Sequence, residues 1–200
     1  FSGNFERSVS FESSRGCPWR CGFCYIPADS FYDSKWKVFS PETVIERIGM
    51  LVDKYKVKSV YFTDDEMAID TVRFEKIVDG LLEADLDVSW ATQGIRIDTM
   101  ERIMKNHPTL LDKMHKSGNK QIEIGLESGS ERVLKLIQKD LTRTKMDDII
   151  EKLEAFRKGK EISVKYNLMG GFPTETRAEL EETIKWAEKL AKANAHTLLN

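Results

Sequence analysis

The 200-residue chain predicts an α/β fold with parallel strands, and three observations carry that prediction. Short strand-like runs alternate with amphipathic helical stretches along its length. The segments between strands are long enough for crossovers, which implies parallel pairing with right-handed connections. The strands themselves alternate. Ile122, Ile124 and Leu126 oppose Gln121, Glu123 and Gly125, while Ile162, Val164, Tyr166 and Leu168 oppose Ser163, Lys165 and Asn167. A doubly wound sheet covers both faces and favours continuous apolar strands. One polar face favours instead a curled, incompletely closed barrel with a wet lumen, unlike a closed barrel filled with branched side chains.

The elements follow in order. Strands are expected at Arg7–Ser13, Lys58–Thr63, Asp87–Thr92, Lys120–Leu126, Glu161–Met169 and from Thr197 onward. Ser40 and Pro41 open the first helix as N-cap and first helical residue. It continues through Val44, Ile45, Ile48, Leu51 and Val52 at helical spacing. A second helix runs from about Thr71 through Leu82. A third covers Met100–Lys116, interrupted by Pro108. A fourth covers Glu131–Gln138 with Ser130 as its cap, a fifth Lys145–Arg157, and a sixth runs from near Thr176 to Lys192. Residues 1–200 therefore read as one domain, and both ends look cut from a longer chain.

Composition excludes several classes. The 31 basic and 33 acidic residues leave a net charge of −2, which offers no basic footprint for nucleic acid in this segment. No apolar run approaches the roughly 20 residues that span a bilayer. The three cysteines lie within one short stretch, poor for disulfides, which points to a reducing, cytoplasmic setting and a metal role.

That stretch is Gly16-Cys17-Pro18-Trp19-Arg20-Cys21-Gly22-Phe23-Cys24-Tyr25, spaced C-x3-C-x2-C just after the first strand. Three thiolates on so tight a loop can wrap one side of an iron–sulfur cluster and leave one iron without a protein ligand. Zinc is the rival, although structural zinc takes four ligands and His107, His115 and His196 lie far off in sequence. Inert buried thiols are the remaining alternative.

With its aromatic Phe23 before the third cysteine, this loop resembles that of the radical S-adenosylmethionine enzymes, and later motifs match in order along essentially the whole chain. The resemblance implies a partial (β/α)6 barrel. It implies a 4Fe–4S cluster on Cys17, Cys21 and Cys24, with S-adenosyl-L-methionine chelating the open iron. Reductive cleavage would then give a 5′-deoxyadenosyl radical that takes hydrogen from a substrate, and a reductant such as flavodoxin or ferredoxin would supply the electron.

Further expected cofactor-binding residues sit near strand ends. Phe23 and Tyr25 flank Cys24. Asp64-Asp65-Glu66 stands where the family carries Gly-Gly-Glu and departs from it; a carboxylate or backbone carbonyl of this stretch, with Asp64 and Asp65 the candidates, is expected at the co-substrate ammonium, and the bland reading is an acidic helix start. Glu127 is expected at the ribose, and Lys139 resembles a basic position near the co-substrate carboxylate. Asn167, Gly170 and Gly171 resemble the adenine-contacting motif of the fifth strand, where paired glycines permit close backbone approach. The aromatic-rich stretch Tyr25–Phe39 reads as cover for the cluster, and Trp90, Gln93, Arg96 and Asp98 as candidate substrate contacts.

The combined motifs look most like the branch that carries a cobalamin-binding domain ahead of the barrel, which includes methyltransferases and ring-forming enzymes. The methylthiotransferase branch is the runner-up. From another class, a non-catalytic iron–sulfur or zinc protein would also use the cysteines.

Overall fold

The computed structural model describes residues 7–26, 35–139, 141–193 and 197–199. Phe31, Tyr32 and His196 lie outside the described residues. The first strand, β1 (Ser8–Phe11), leads into a small antiparallel pair, β2 (Ser14–Arg15) with β3 (Lys37–Val38), that flanks the cysteine loop. Helix α1 (Pro41–Tyr55) starts where expected: the Ser40 side chain accepts from the Thr43 N–H, and Val44 and Ile48 bury its inner face. Strand β4 (Ser59–Phe62) and helix α2 (Thr71–Glu83) follow, the latter capped by Asp70, which accepts from Val72 and Arg73.

The next unit departs from expectation. Strand β5 (Ser89–Thr92) is followed by a two-residue strand β6 (Ile95–Arg96), then by two helices in place of one, α3 (Ile97–Asn106) and α4 (Leu110–Lys116). Pro108 lacks an N–H and biases the residue before it away from helix, so the break is complete. Strand β7 (Asn119–Glu127) is the longest of the described strands. Helix α5 (Glu131–Leu136) is capped by the Ser130 hydroxyl, which accepts from Val133, and α6 (Arg143–Arg157) by Thr142 in the same manner. Strand β8 (Ser163–Leu168), helix α7 (Arg177–Ala193) and strand β9 (Thr197–Leu199) complete the series. Thr176 and Glu179 form a reciprocal capping box at α7: the Thr176 hydroxyl accepts from the Glu179 N–H, and Glu179 accepts from the Thr176 N–H.

The main strands pair in parallel in the order β1-β4-β5-β7-β8-β9, with β6 beside β7. That order follows the sequence without reversal. A doubly wound sheet reverses at its switch point; here right-handed crossovers advancing in one direction place the helices on one face, and the sheet curls around the other. Among the described residues no pairing joins β1 to β9, so the barrel is open. The fold is therefore the parallel, partial α/β barrel that the alternation favoured.

The apolar core lies between sheet and helices. Phe62, Trp90 and Phe74 meet edge-on, with ring centroids 5.9 and 6.5 Å apart. Trp90 is thus a core residue and its indole N–H donates to the Ser117 carbonyl, which removes it from the expected substrate contacts. The polar face of β7 is less wet than its alternation implies. Gln121 and Glu123 are buried, because the curl folds them into the lumen, where Asn167 donates to Glu123 at 2.6 Å and Lys165 pairs with it at 3.1 Å.

Candidate cluster and co-substrate site

At the C-terminal edge of the strands, where ligands bind in folds of this kind, the cysteine loop is held from several directions. Asp64, just past β4, is buried and accepts from the Ser13 N–H at 3.0 Å, from the Ser13 hydroxyl at 2.6 Å and from the Ser14 hydroxyl. Asp65 accepts from the Gly16 N–H at 2.8 Å. The buried Arg73 of α2 donates to the Ser13 carbonyl at 2.9 Å and to the Phe39 carbonyl at 3.1 Å, joining the loop to the β2–β3 pair. On the far side the Gly22 N–H donates to the Ile137 carbonyl at 2.9 Å.

Anchored in this way, the loop walls a cavity of about 320 Å³ that all three cysteines line, together with Trp19 and Phe23. Their thiols are free. The opposite wall is built from successive strand ends: Asp65 and Glu66 after β4, Gln93 and Arg96 around β6, Glu127 with Lys139, and Asn167 with Met169. Of the expected cofactor-binding residues, the structure brings Phe23, Asp65, Glu127, Lys139 and Asn167 to this cavity. Asp64 stands behind it, engaged by the two serines. Gly170 and Gly171 lie outside the lining and Tyr25 is 61% exposed beside the loop. Gly171 (φ +84°) shapes the turn before α7, its N–H donating to Glu175 at 2.6 Å.

Two residues gain importance beyond the sequence reading. Glu66 is buried; one oxygen accepts from the Arg96 backbone N–H at 2.9 Å and the other has no partner. Burial pushes its carboxyl up to about 7, against the pull of Arg96. Arg96 reaches the Cys21 sulfur with one guanidinium nitrogen at 3.1 Å. A run of three acids signals a polar strand end but not which carboxylate faces inward; that depends on the turn after β4.

Glu127 takes a left-handed backbone (φ +68°), and its side chain turns back over Gly125 to Lys139, 2.7 Å away. Lys139 is 3% exposed and also donates to the Gly125 carbonyl at 3.1 Å. A methyl on Gly125 would lie 2.5 Å from the Glu127 carboxylate, so the close approach requires glycine.

The donor set fits a cluster better than a single ion. Among the described residues no three His, Cys, Asp or Glu side chains converge closely enough to hold one metal ion, and His107 is engaged elsewhere by Glu75 and Thr71. Three thiols spread along one wall suit several irons. Burial pushes the Cys17 thiol up to about 11 and raises that of Cys21, where the Arg96 guanidinium and then Lys139 oppose it. Bound metal would instead take both as thiolates. The unpartnered buried oxygens of Glu66 and Asn167, both in cavity-lining residues, are acceptors fit for a co-substrate ammonium or hydroxyl.

The family model described as the Radical SAM superfamily matches residues 11–187. The chain belongs to the Radical SAM superfamily. Its cofactors are thereby a 4Fe–4S cluster and S-adenosylmethionine, and it is an enzyme domain. Similar proteins include an uncharacterized methyltransferase of Pyrococcus horikoshii, 32% identical over 89% of this chain and 36% of that protein. A tRNA-2-methylthio-N(6)-dimethylallyladenosine synthase of Hydrogenobaculum is 27% identical over 85% of this chain and 38% of the synthase. In fold, the chain is similar to the radical S-adenosylmethionine methyltransferase TsrM of Kitasatospora setae, solved with cobalamin and a [4Fe-4S] cluster bound. The TM-score is 0.75, with 15% identity and coverage of 96% of this chain and 33% of TsrM. The chain thus spans about a third of the length of these proteins. No helix among its described residues is long and apolar enough to cross a membrane.

Proposed function

We propose that this chain is the radical-forming core of a methyltransferase, with Cys17, Cys21 and Cys24 holding the cluster and the facing wall holding S-adenosylmethionine. One observation carries this reading: the three free thiols and the strand-end acids share one cavity. When bound, the cluster supplies an electron and the sulfonium co-substrate the reactive carbon radical.

The chain's own residues bind and orient. Asp65 and the unpartnered Glu66 oxygen face the cavity as acceptors for the co-substrate ammonium. Glu127, held by Lys139, presents its carboxylate for ribose hydroxyls, and Asn167 accepts from the base edge. Phe23, edge-on to the buried Phe172 at 6.0 Å, shields the cavity from water. Positioning of this kind is the protein's main task, since a primary radical attacks what it touches.

The methyltransferase assignment, with cobalamin bound by a domain outside this chain, draws on the Pyrococcus relative and on the fold shared with TsrM. A small electron-carrier protein, a flavodoxin or ferredoxin, in a cytoplasmic setting would serve as the reductant. Methylthio transfer is the second reading, favoured by the Hydrogenobaculum relative. Anaerobic turnover of the full-length protein with methyl-labelled S-adenosylmethionine separates them. The proposal expects labelled methyl on product and dependence on added cobalamin. A cobalamin-independent product carrying both sulfur and the labelled methyl would replace it with the second reading.

A further inference from the structure

Arg96 is held more firmly than a substrate contact needs to be. Its Nε and Nη2 fork onto the two oxygens of Asp98 at 2.9 and 3.0 Å. Its guanidinium lies over the Trp19 ring, 4.5 Å from the centroid. Its backbone N–H is bonded to Glu66. Those contacts fix the plane of the side chain, which is only 11% exposed. The remaining nitrogen, Nη1, points at the Cys21 sulfur at 3.1 Å. Trp19 belongs to the cysteine loop and Asp98 to the first turn of α3, so the guanidinium joins the two walls of the cavity.

We propose that Arg96 is a positioning residue that acts through Cys21, donating an N–H···S bond to the thiolate and setting the reduction potential of the cluster. This rests on the cluster reading above. Reduction adds negative charge to the cluster and its sulfurs, and a donor aimed at one of them stabilises the reduced form more than the oxidised form. Asp98 balances the charge of Arg96, so the aimed N–H at short range carries the effect more than net charge does. Lysine keeps the charge but cannot make the planar fork.

The test is an electron-paramagnetic-resonance redox titration of the reconstituted full-length protein without S-adenosylmethionine, alongside R96M, R96K and D98N. Iron content is measured on every sample. R96M is expected to shift the midpoint negative by a tenfold loss in the reduction equilibrium, about 59 mV for a one-electron couple. R96K should shift the same way. D98N keeps the donor and removes the balancing carboxylate, so it should not shift negative. If R96M fails to load iron, R96K decides. Loaded Arg96 variants with the parent midpoint, or a D98N midpoint as negative as theirs, overturn the inference. So does a midpoint that is unchanged while affinity for S-adenosylmethionine falls, which would make Arg96 a co-substrate ligand instead. A parent protein that takes up no iron overturns the cluster reading and this inference together.

Discussion

Lys139→Met is the most informative single change to the cavity wall. It removes the cation from a pair whose side chains are 3% and 10% exposed and leaves the Glu127 carboxylate against Gly125 with no counter-charge. Losing one partner of a buried pair costs about 3–5 kcal/mol, far more than the 0–1 kcal/mol of a surface pair. At the lower figure, a domain of this size loses about 6–12 °C in melting temperature. Glu127→Gln keeps an acceptor for Lys139 and should cost about half as much. The double variant should recover part of the loss, because no unpaired charge remains. Urea unfolding of the four cluster-free proteins reads the cycle directly. A Lys139→Met cost below about 1 kcal/mol would show that water reaches the pair and that it does not preset Glu127.

Three other outcomes follow from the same geometry. Because burial raises the Glu66 carboxyl from its ordinary 4.5 to about 7, the folded state holds a proton that the unfolded state has released between those values. Stability of the cluster-free protein should therefore fall by about 3 kcal/mol as pH rises through that window, and Glu66→Gln should flatten the slope; a parent profile as flat as the variant's contradicts the burial argument. Asp64→Asn turns an acceptor of three bonds into one that presents an amide to a serine, so it should cost about 1–3 kcal/mol and impair iron retention while leaving co-substrate affinity of loaded protein unchanged. Gly125→Ala places a methyl 2.5 Å from Glu127, and equilibrium dialysis should show weaker S-adenosylmethionine binding with the iron content unchanged.

Much of this was legible in the chain because local chemistry agrees with the fold. Ser40-Pro41 and Ser130 cap helices as their types predict, and the monotonic alternation of strands and helices implied parallel pairing. The cysteine spacing marked the site, and Glu127, Lys139 and Asn167 meet the cysteines across one cavity although up to 150 residues separate them. What escaped the sequence depends on where a turn aims a side chain. Asp64 and Glu66 are two residues apart, yet one faces the serines behind the cysteine loop and the other the cavity. Arg73 reads as an ordinary helical arginine, but α2 aims it at two carbonyls of the β2–β3 region. Trp90 alternates with Ser89 and Ala91 in a short strand whose inward face cannot be read from four residues, and it belongs to the core.

The central claim is that Cys17, Cys21 and Cys24 together hold a cluster with an iron open to S-adenosylmethionine. Anaerobic reconstitution of the full-length protein, followed by resonance of the reduced cluster with and without S-adenosylmethionine, tests it most directly. The account predicts about four irons for this cluster, a spectrum that changes on addition of the co-substrate, release of 5′-deoxyadenosine, and loss of all three in Cys17→Ala, Cys21→Ala and Cys24→Ala. A protein that binds one zinc at these cysteines, or a cluster whose spectrum ignores S-adenosylmethionine, would contradict it.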